Sequence, residues 1–167
     1  MNHSNNNLFF ESAQSIHNFI ISNHQTFDDI PHDTQHLRFH KYYNEAVPRI
    51  DFSNYRFNDL KVIAVSEGSL NHIRVFVVDG LERLENVKIG DKCFRIGGKE
   101  RNDGTCRITN CPNLRQLEIG DNSFQDFKSF EISNVNSLQS IEFGKECFLY
   151  TKEFILKGRL FDWDCEL

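Results

Sequence analysis

From residue 60 onward the apolar residues fall at fixed intervals. Leu60, Leu84, Leu114 and Leu138 each open a block whose fourth residue is again apolar: Ile63, Val87, Leu117 and Ile141. The sixth (Val65, Ile89, Ile119, Phe143) and the eleventh (Leu70, Phe94, Phe124, Phe148) follow the same rule. Further on, Phe76, Cys106, Phe130 and Phe154 are followed two residues later by Val78, Ile108, Ile132 and Leu156. Two residues beyond those stand Gly80, Asn110, Asn134 and Gly158, all turn-forming types. The openers lie 24, 30 and 24 residues apart, so the unit is 24 residues with six extra in the second repeat.

The template predicts two short strands per repeat. Positions 4 and 6 alternate as a half-buried strand does, with position 5 pointing outward. Position 7 is Gly90, Gly120 and Gly144, with Ser66 in the first repeat; glycine there predicts a positive φ where the chain leaves the strand. Position 10 alternates Ser69, Cys93, Ser123 and Cys147, which predicts small residues stacked on one another. Two three-residue strands cannot bury their own apolar face, but stacked repeats can, each Leu, Ile and Phe landing on its equivalent. The expected architecture is therefore a β-rich repeat solenoid, with short parallel strands on two sides of each coil.

The stretch "LRQLEIGDNSF" fits the L-x-x-L-x-L-x-x-N-x-L block of the leucine-rich repeat, with Phe124 in the last Leu position and Asn122 in the Asn position. The chain resembles that family over roughly residues 60 to 160. Gly68, Lys92 and Glu146 replace the Asn elsewhere, so no continuous asparagine ladder is expected. The I-G-[DK]-x-[SC]-F signature and the second strand are more similar to the divergent, BspA-like arrays of protist type. That resemblance implies an interaction scaffold without catalytic residues.

The repeat fades toward both ends. Ile50 and Phe52 alternate and predict the second strand of a degenerate coil, with Pro48 suited to an edge. Phe9, Ile16, Phe19 and Ile20 share one helical face, which predicts a short amphipathic helix over 8–21. Residues 1–49 are thus expected to form a partly helical N-terminal cap, and residues 50–167 the array. At the other end Leu160, Trp163 and Cys165 fit positions 1, 4 and 6 of a partial repeat. Either Trp163 acts as a lid, or the chain is a fragment of a longer array that associates end to end through its C-terminal coil. The polar insertion "IGGKERNDGT", residues 96–105, predicts a protruding loop.

Composition narrows the partners. A formal net charge of -5 argues against nucleic acid or an anionic membrane, both of which require a basic footprint. No apolar run is long enough for a transmembrane helix, and the N-terminus lacks the basic and apolar regions of a signal peptide. Five Cys without a dense pattern then imply free thiols, and the expected location is cytoplasmic. Sixteen Phe residues against one Trp and one Met require phenylalanine at a repeated core position.

Candidate chemistry is sparse. His32, His36 and His40 stand at i, i+4 and i+8, one face of a helix, and are the weak candidates for metal ligands. Cys106 and Cys111 form C-x4-C, which is not a usual zinc spacing. "GGKERNDG" lacks the phosphate-binding frame, and no nucleophile–base arrangement or paired carboxylates stand out. No cofactor is expected and no enzyme is indicated. The candidate binding face is the outward strand row Ala64, Lys88, Glu118 and Glu142, flanked by Arg115, Gln116 and Gln139. A mixed-charge row of this kind suits a protein or peptide partner.

Overall fold

A computed structural model of the protein describes residues 17–44, 47–97 and 103–158. It contains two parallel sheets and, among the described residues, no α-helix. Sheet A holds six strands: β1 (Asn18–Ile21), β2 (His36–Phe39), β4 (Val62–Val65), β6 (Asn86–Ile89), β8 (Gln116–Ile119) and β10 (Ser140–Phe143), in that order. Sheet B holds five: β3 (Arg49–Asp51), β5 (Val75–Asp79), β7 (Gly104–Thr109), β9 (Phe127–Ser133) and β11 (Glu153–Lys157). From β2 onward the chain alternates between the sheets, and every strand pairs in parallel with the strand of the next repeat.

The register is that of the sequence template. Ile63 pairs with Val87, Val87 with Leu117, and Leu117 with Ile141. On the other side Ile50, Phe76, Cys106, Phe130 and Phe154 pair in order. Side chains from both sheets enter one core, in which Leu60, Leu84 and Leu114 are fully buried. The opener of each repeat also closes a turn. Its N–H donates to a carbonyl three residues back: Leu60 to Phe57, Leu84 to Leu81, Leu114 to Cys111 and Leu138 to Val135.

Phenylalanine fills the middle of this core. Phe94 and Phe124, both at position 11, stack with centroids 4.4 Å apart and planes 9° apart. Phe148 continues the stack at 5.7 Å from Phe124. Stacked or edge-on aromatic pairs add about 0.5–1.5 kcal/mol beyond area burial. These residues hold a left-handed backbone, with φ of 56° at Phe94, 55° at Phe124 and 57° at Phe148. The strain of that conformation, roughly 1–2 kcal/mol for an L-residue, is offset at Phe94 and Phe124 by the buried ring.

The glycine expectation is corrected. Positive φ falls not at position 7 but at positions 9 and 11: Gly68, Lys92, Asn122 and Glu146, then Leu70, Phe94, Phe124 and Phe148. Gly90, Gly120 and Gly144 are required by close approach instead. A Cβ on Gly90 would meet the Glu67 nitrogen at 2.9 Å, and one on Gly144 the Asp121 nitrogen at 2.5 Å. Gly80, Asn110 and Asn134 do turn with φ of 73°, 54° and 56°. They are linked side by side, Asn134 Nδ2 donating to Asn110 Oδ1 and Asn110 Nδ2 to Asp79 Oδ1.

Position 10 explains the Ser/Cys alternation. Ser69 Oγ donates to His40 O, Cys93 Sγ to Ser66 O, Ser123 Oγ to Gly90 O and Cys147 Sγ to Gly120 O. Each side chain thus binds the position-7 carbonyl of the preceding repeat. The serines also accept from the preceding position-10 amide: Ser69 from Tyr43, Ser123 from Cys93. Satisfying these buried backbone groups is worth about 1 kcal/mol each. Asn122 builds no asparagine ladder; its Oδ1 accepts from Gln125 Nε2.

The predicted N-terminal helix over 8–21 is corrected for its described part. Residues 18–21 form β1, paired in parallel with β2; residues 8–16 lie outside the described residues. Helical structure in the described N-terminal region is limited to two 3-10 turns, Phe27–Asp29 and Tyr55–Phe57. Phe27, Phe52 and Phe57 pack there with centroids 5.0–5.1 Å apart and close that end of the core. Arg56 ties the two turns, donating to Asp28 O and Ile30 O. The insertion is shorter than predicted: Gly104 and Thr105 belong to β7, and residues 98–102 lie outside the described residues. The partial repeat at Leu160, Trp163 and Cys165 also lies outside them.

Candidate interaction face

Alternation along a strand sends positions 3 and 5 of sheet A to one face, away from the core. The position-5 row runs Ile20, Arg38, Ala64, Lys88, Glu118, Glu142, each paired with the next. The position-3 row beside it runs Asn18, His36, Val62, Asn86, Gln116, Ser140. Of the residues predicted for the face, the structure brings Ala64, Lys88, Glu118, Glu142 and Gln116 onto it. Arg115 and Gln139 are exposed one residue ahead of their strands. Their amides and the Arg115 carbonyl are engaged: Arg115 N donates to Glu85 O, and Gln139 N to Arg115 O.

Charge along the row is ordered. Arg38 and Lys88 are basic, Glu118 and Glu142 acidic. Lys88 Nζ lies 2.6 Å from Glu118 Oε2, across adjacent strands. Glu118 and Glu142 are directly paired in register, a like-charge contact that Lys88 partly screens. The basic half has a different texture. Ile20, Val62 and Ala64 form an apolar floor with Asn18, His36 and Arg38 around it. On the adjoining turns Lys41 Nζ lies 2.8 Å from Glu67, and its hydrogen bond holds the Glu67 carboxyl below the ordinary range.

Ile20 and Arg38 were not among the residues the sequence pointed to. The pattern "HLRF" carries the signal, since Leu37 and Phe39 alternate as Ile63 and Val65 do. Its opener is disguised: Thr34 stands where the later repeats have Leu, and its N–H makes the same turn to Pro31 O.

The helical face expected of His32, His36 and His40 is corrected. No helix aligns them: His36 lies in β2, His32 precedes it, and His40 follows it with Nδ1 3.1 Å from Lys41 O. Among the described residues no group of three His, Cys, Asp or Glu side chains is placed to hold a metal ion. The described cysteines Cys93, Cys106, Cys111 and Cys147 are free thiols. Burial pushes Cys93 and Cys111 up to about 11, and raises Cys106 well above its ordinary value. Such thiols are poor nucleophiles at neutral pH. Among the described residues no helix is long and apolar enough to cross a membrane. Comparisons with protein-family models, with curated proteins and with solved structures gave no match.

Proposed function

We propose that the protein is a non-enzymatic interaction module, a divergent leucine-rich-repeat-like solenoid that binds a protein or peptide through the outward face of sheet A. The observation that carries this reading is the order of side chains along the position-5 row. Arg38, Ala64, Lys88, Glu118 and Glu142 stand on successive hydrogen-bonded strands, at roughly 4.8 Å intervals set by strand spacing. A segment lying across the strands meets an apolar and basic half first and an acidic half second. Its complement is a chain with an aliphatic and acidic portion followed by a basic one. Complementary potentials of this kind give specificity and association rate more than raw affinity.

The test is the double reversal Lys88→Glu with Glu118→Lys. It keeps an ion pair within the face, so folding is retained, while the polarity met by the partner is inverted at both positions. Affinity purification with the wild-type protein captures partners that the double variant loses, with far-UV circular dichroism unchanged. Equal capture by both proteins rejects the face.

A further inference from the structure

The two ends of the core differ. Phe27, Phe52 and Phe57 close the N-terminal end, and Phe52 and Phe57 are buried. At the other end no repeat among the described residues lies over the inward side chains of β10 and β11: Phe143 is 42%, Phe154 46% and Leu156 40% exposed. Their equivalents one repeat earlier, Ile119, Phe130 and Ile132, are buried. The exposed rings form one surface, with Phe143 and Phe154 each packed against Phe148.

The backbone at this end is equally open. Lys152 N donates to Lys128 O. Lys157 O accepts from Asn134 N, so alternation turns the N–H and C=O of Glu153, Ile155 and Lys157 toward β9 and directs those of Phe154 and Leu156 away from the sheet. Among the described residues β11 is the last strand of sheet B. Its sequence, Glu153-Phe154-Ile155-Leu156-Lys157, is complementary to itself when reversed.

We propose that β11 pairs antiparallel with β11 of a second copy of this chain, on a two-fold axis through Ile155. In this register Glu153 lies opposite the partner's Lys157, and Phe154 opposite the partner's Leu156. Phe154 exchanges both backbone hydrogen bonds with the partner's Leu156, and Leu156 with the partner's Phe154, while Ile155 faces the partner's Ile155 as a non-hydrogen-bonded pair. Two ion pairs and the matched apolar side chains follow from one operation, as an isologous interface requires. A parallel pairing sets Glu153 against the partner's Glu153 and Lys157 against the partner's Lys157, and like charges directly opposite are destabilising. The dimer joins the two B sheets into one, covers the exposed rings, and removes an edge that otherwise invites uncontrolled strand addition. It leaves the sheet A face untouched, so it stands or falls independently of the proposed binding function.

Sedimentation velocity of the full chain over a dilution series tests it, alongside three variants. The wild type shows a monomer–dimer equilibrium. Lys157→Glu places carboxylates opposite each other and weakens it by about tenfold or more. The swap Glu153→Lys with Lys157→Glu re-forms both pairs and restores it. Ile155→Cys yields a disulfide-linked dimer on oxidation, because the paired Cα atoms of a non-hydrogen-bonded pair stand about 4.5 Å apart. A wild type that stays monomeric at every concentration overturns the proposal. So does a dimer whose affinity is indifferent to Lys157→Glu, or a monomer whose β11 amides are protected from hydrogen exchange, which assigns that edge to another segment of the same chain.

Discussion

Gly120 passes so close to Asp91 that a Cβ on residue 120 would stand 2.7 Å from the Asp91 backbone nitrogen. The obstacle is main chain of the preceding repeat, itself hydrogen-bonded: Gly120 N donates to Ile89 O, and Asp121 N to Asp91 Oδ1. Neither strand can retreat without breaking the ladder. Gly120→Ala is therefore expected to lower stability by about 1–3 kcal/mol through overpacking. Gly80 offers the contrast, since nothing lies within 4 Å of its Cβ site and its φ is +73. Its equivalents are Asn110 and Asn134, at φ of 54° and 56°, so Gly80→Asn is expected to cost less than about 1 kcal/mol. Urea denaturation of the two variants decides the matter; a larger loss at residue 80 would contradict the close-approach account.

Ser123 is the most heavily used member of the position-10 row. Its hydroxyl donates to Gly90 O and accepts from Cys93 N, both across the boundary between repeats. Ser123→Ala leaves both backbone groups without that partner and is expected to cost about 1–3 kcal/mol. Ser123→Cys restores the donor, as Cys93 and Cys147 already supply it to Ser66 O and Gly120 O. A midpoint for the Cys variant no higher than for the Ala variant would show that packing volume, and not the hydrogen bond, sets the preference.

Alkaline pH is expected to destabilise the fold through its buried thiols. Burial raises Cys93 and Cys111 from 9.0 to about 11, so the unfolded chain ionises first. Their contribution is fully present below about pH 9 and is lost as the pH rises toward 11. Cys93→Ser removes one titrating group while keeping the donor to Ser66 O that Ser69 and Ser123 make elsewhere. Urea midpoints recorded from pH 8 upward should fall less steeply for this variant than for the wild type, and parallel curves would refute the thiol origin. The same burial predicts negligible labelling of Cys93, Cys106 and Cys111 by a thiol reagent at pH 8 until the protein unfolds.

Much of this architecture was legible in the spacing of apolar residues, and the reasons are physical. Leu60, Ile63, Val65 and Phe76 repeat because parallel pairing sets each on its equivalent, so burial imposes the same residue type at every level. The strand at Ile50 was foreseen, whereas β1 and β2 escaped notice because their repeat is irregular. Thr34 replaces the opening leucine, and Leu37 pairs with Ile63 at a separation of 26 residues, not 24. Phe19 and Ile20 read as one helical face, yet in β1 they point to opposite sides of the sheet. Glycine at position 7 was recognised as special for the wrong reason, since crowding by a neighbouring backbone leaves no trace in a single repeat. The residues from Ala64 to Glu142 stand on successive paired strands of sheet A, but the pairing of Lys88 with Glu118 depends on side-chain reach across strands.

Phe124 gives the sharpest test of how the core is held. Its ring lies between Phe94 at 4.4 Å and Phe148 at 5.7 Å, in nearly parallel planes, and meets Phe127 and Phe130 edge-on at 4.9 Å and 5.6 Å. Leu70 holds the same template position with the same left-handed backbone, φ 61°, so leucine is compatible with the turn. Phe124→Leu keeps most of the apolar volume but loses the ring contacts, and is expected to cost about 1–2 kcal/mol. Phe124→Ala leaves a cavity between two repeats and retains the backbone strain, with an expected loss of about 3–5 kcal/mol. Because the cavity severs the stack between β8 and β10, the Ala variant should also lose hydrogen-exchange protection in β10 and β11 before β4 and β5. Uniform loss of protection across both sheets would show instead that the repeats unfold as one unit.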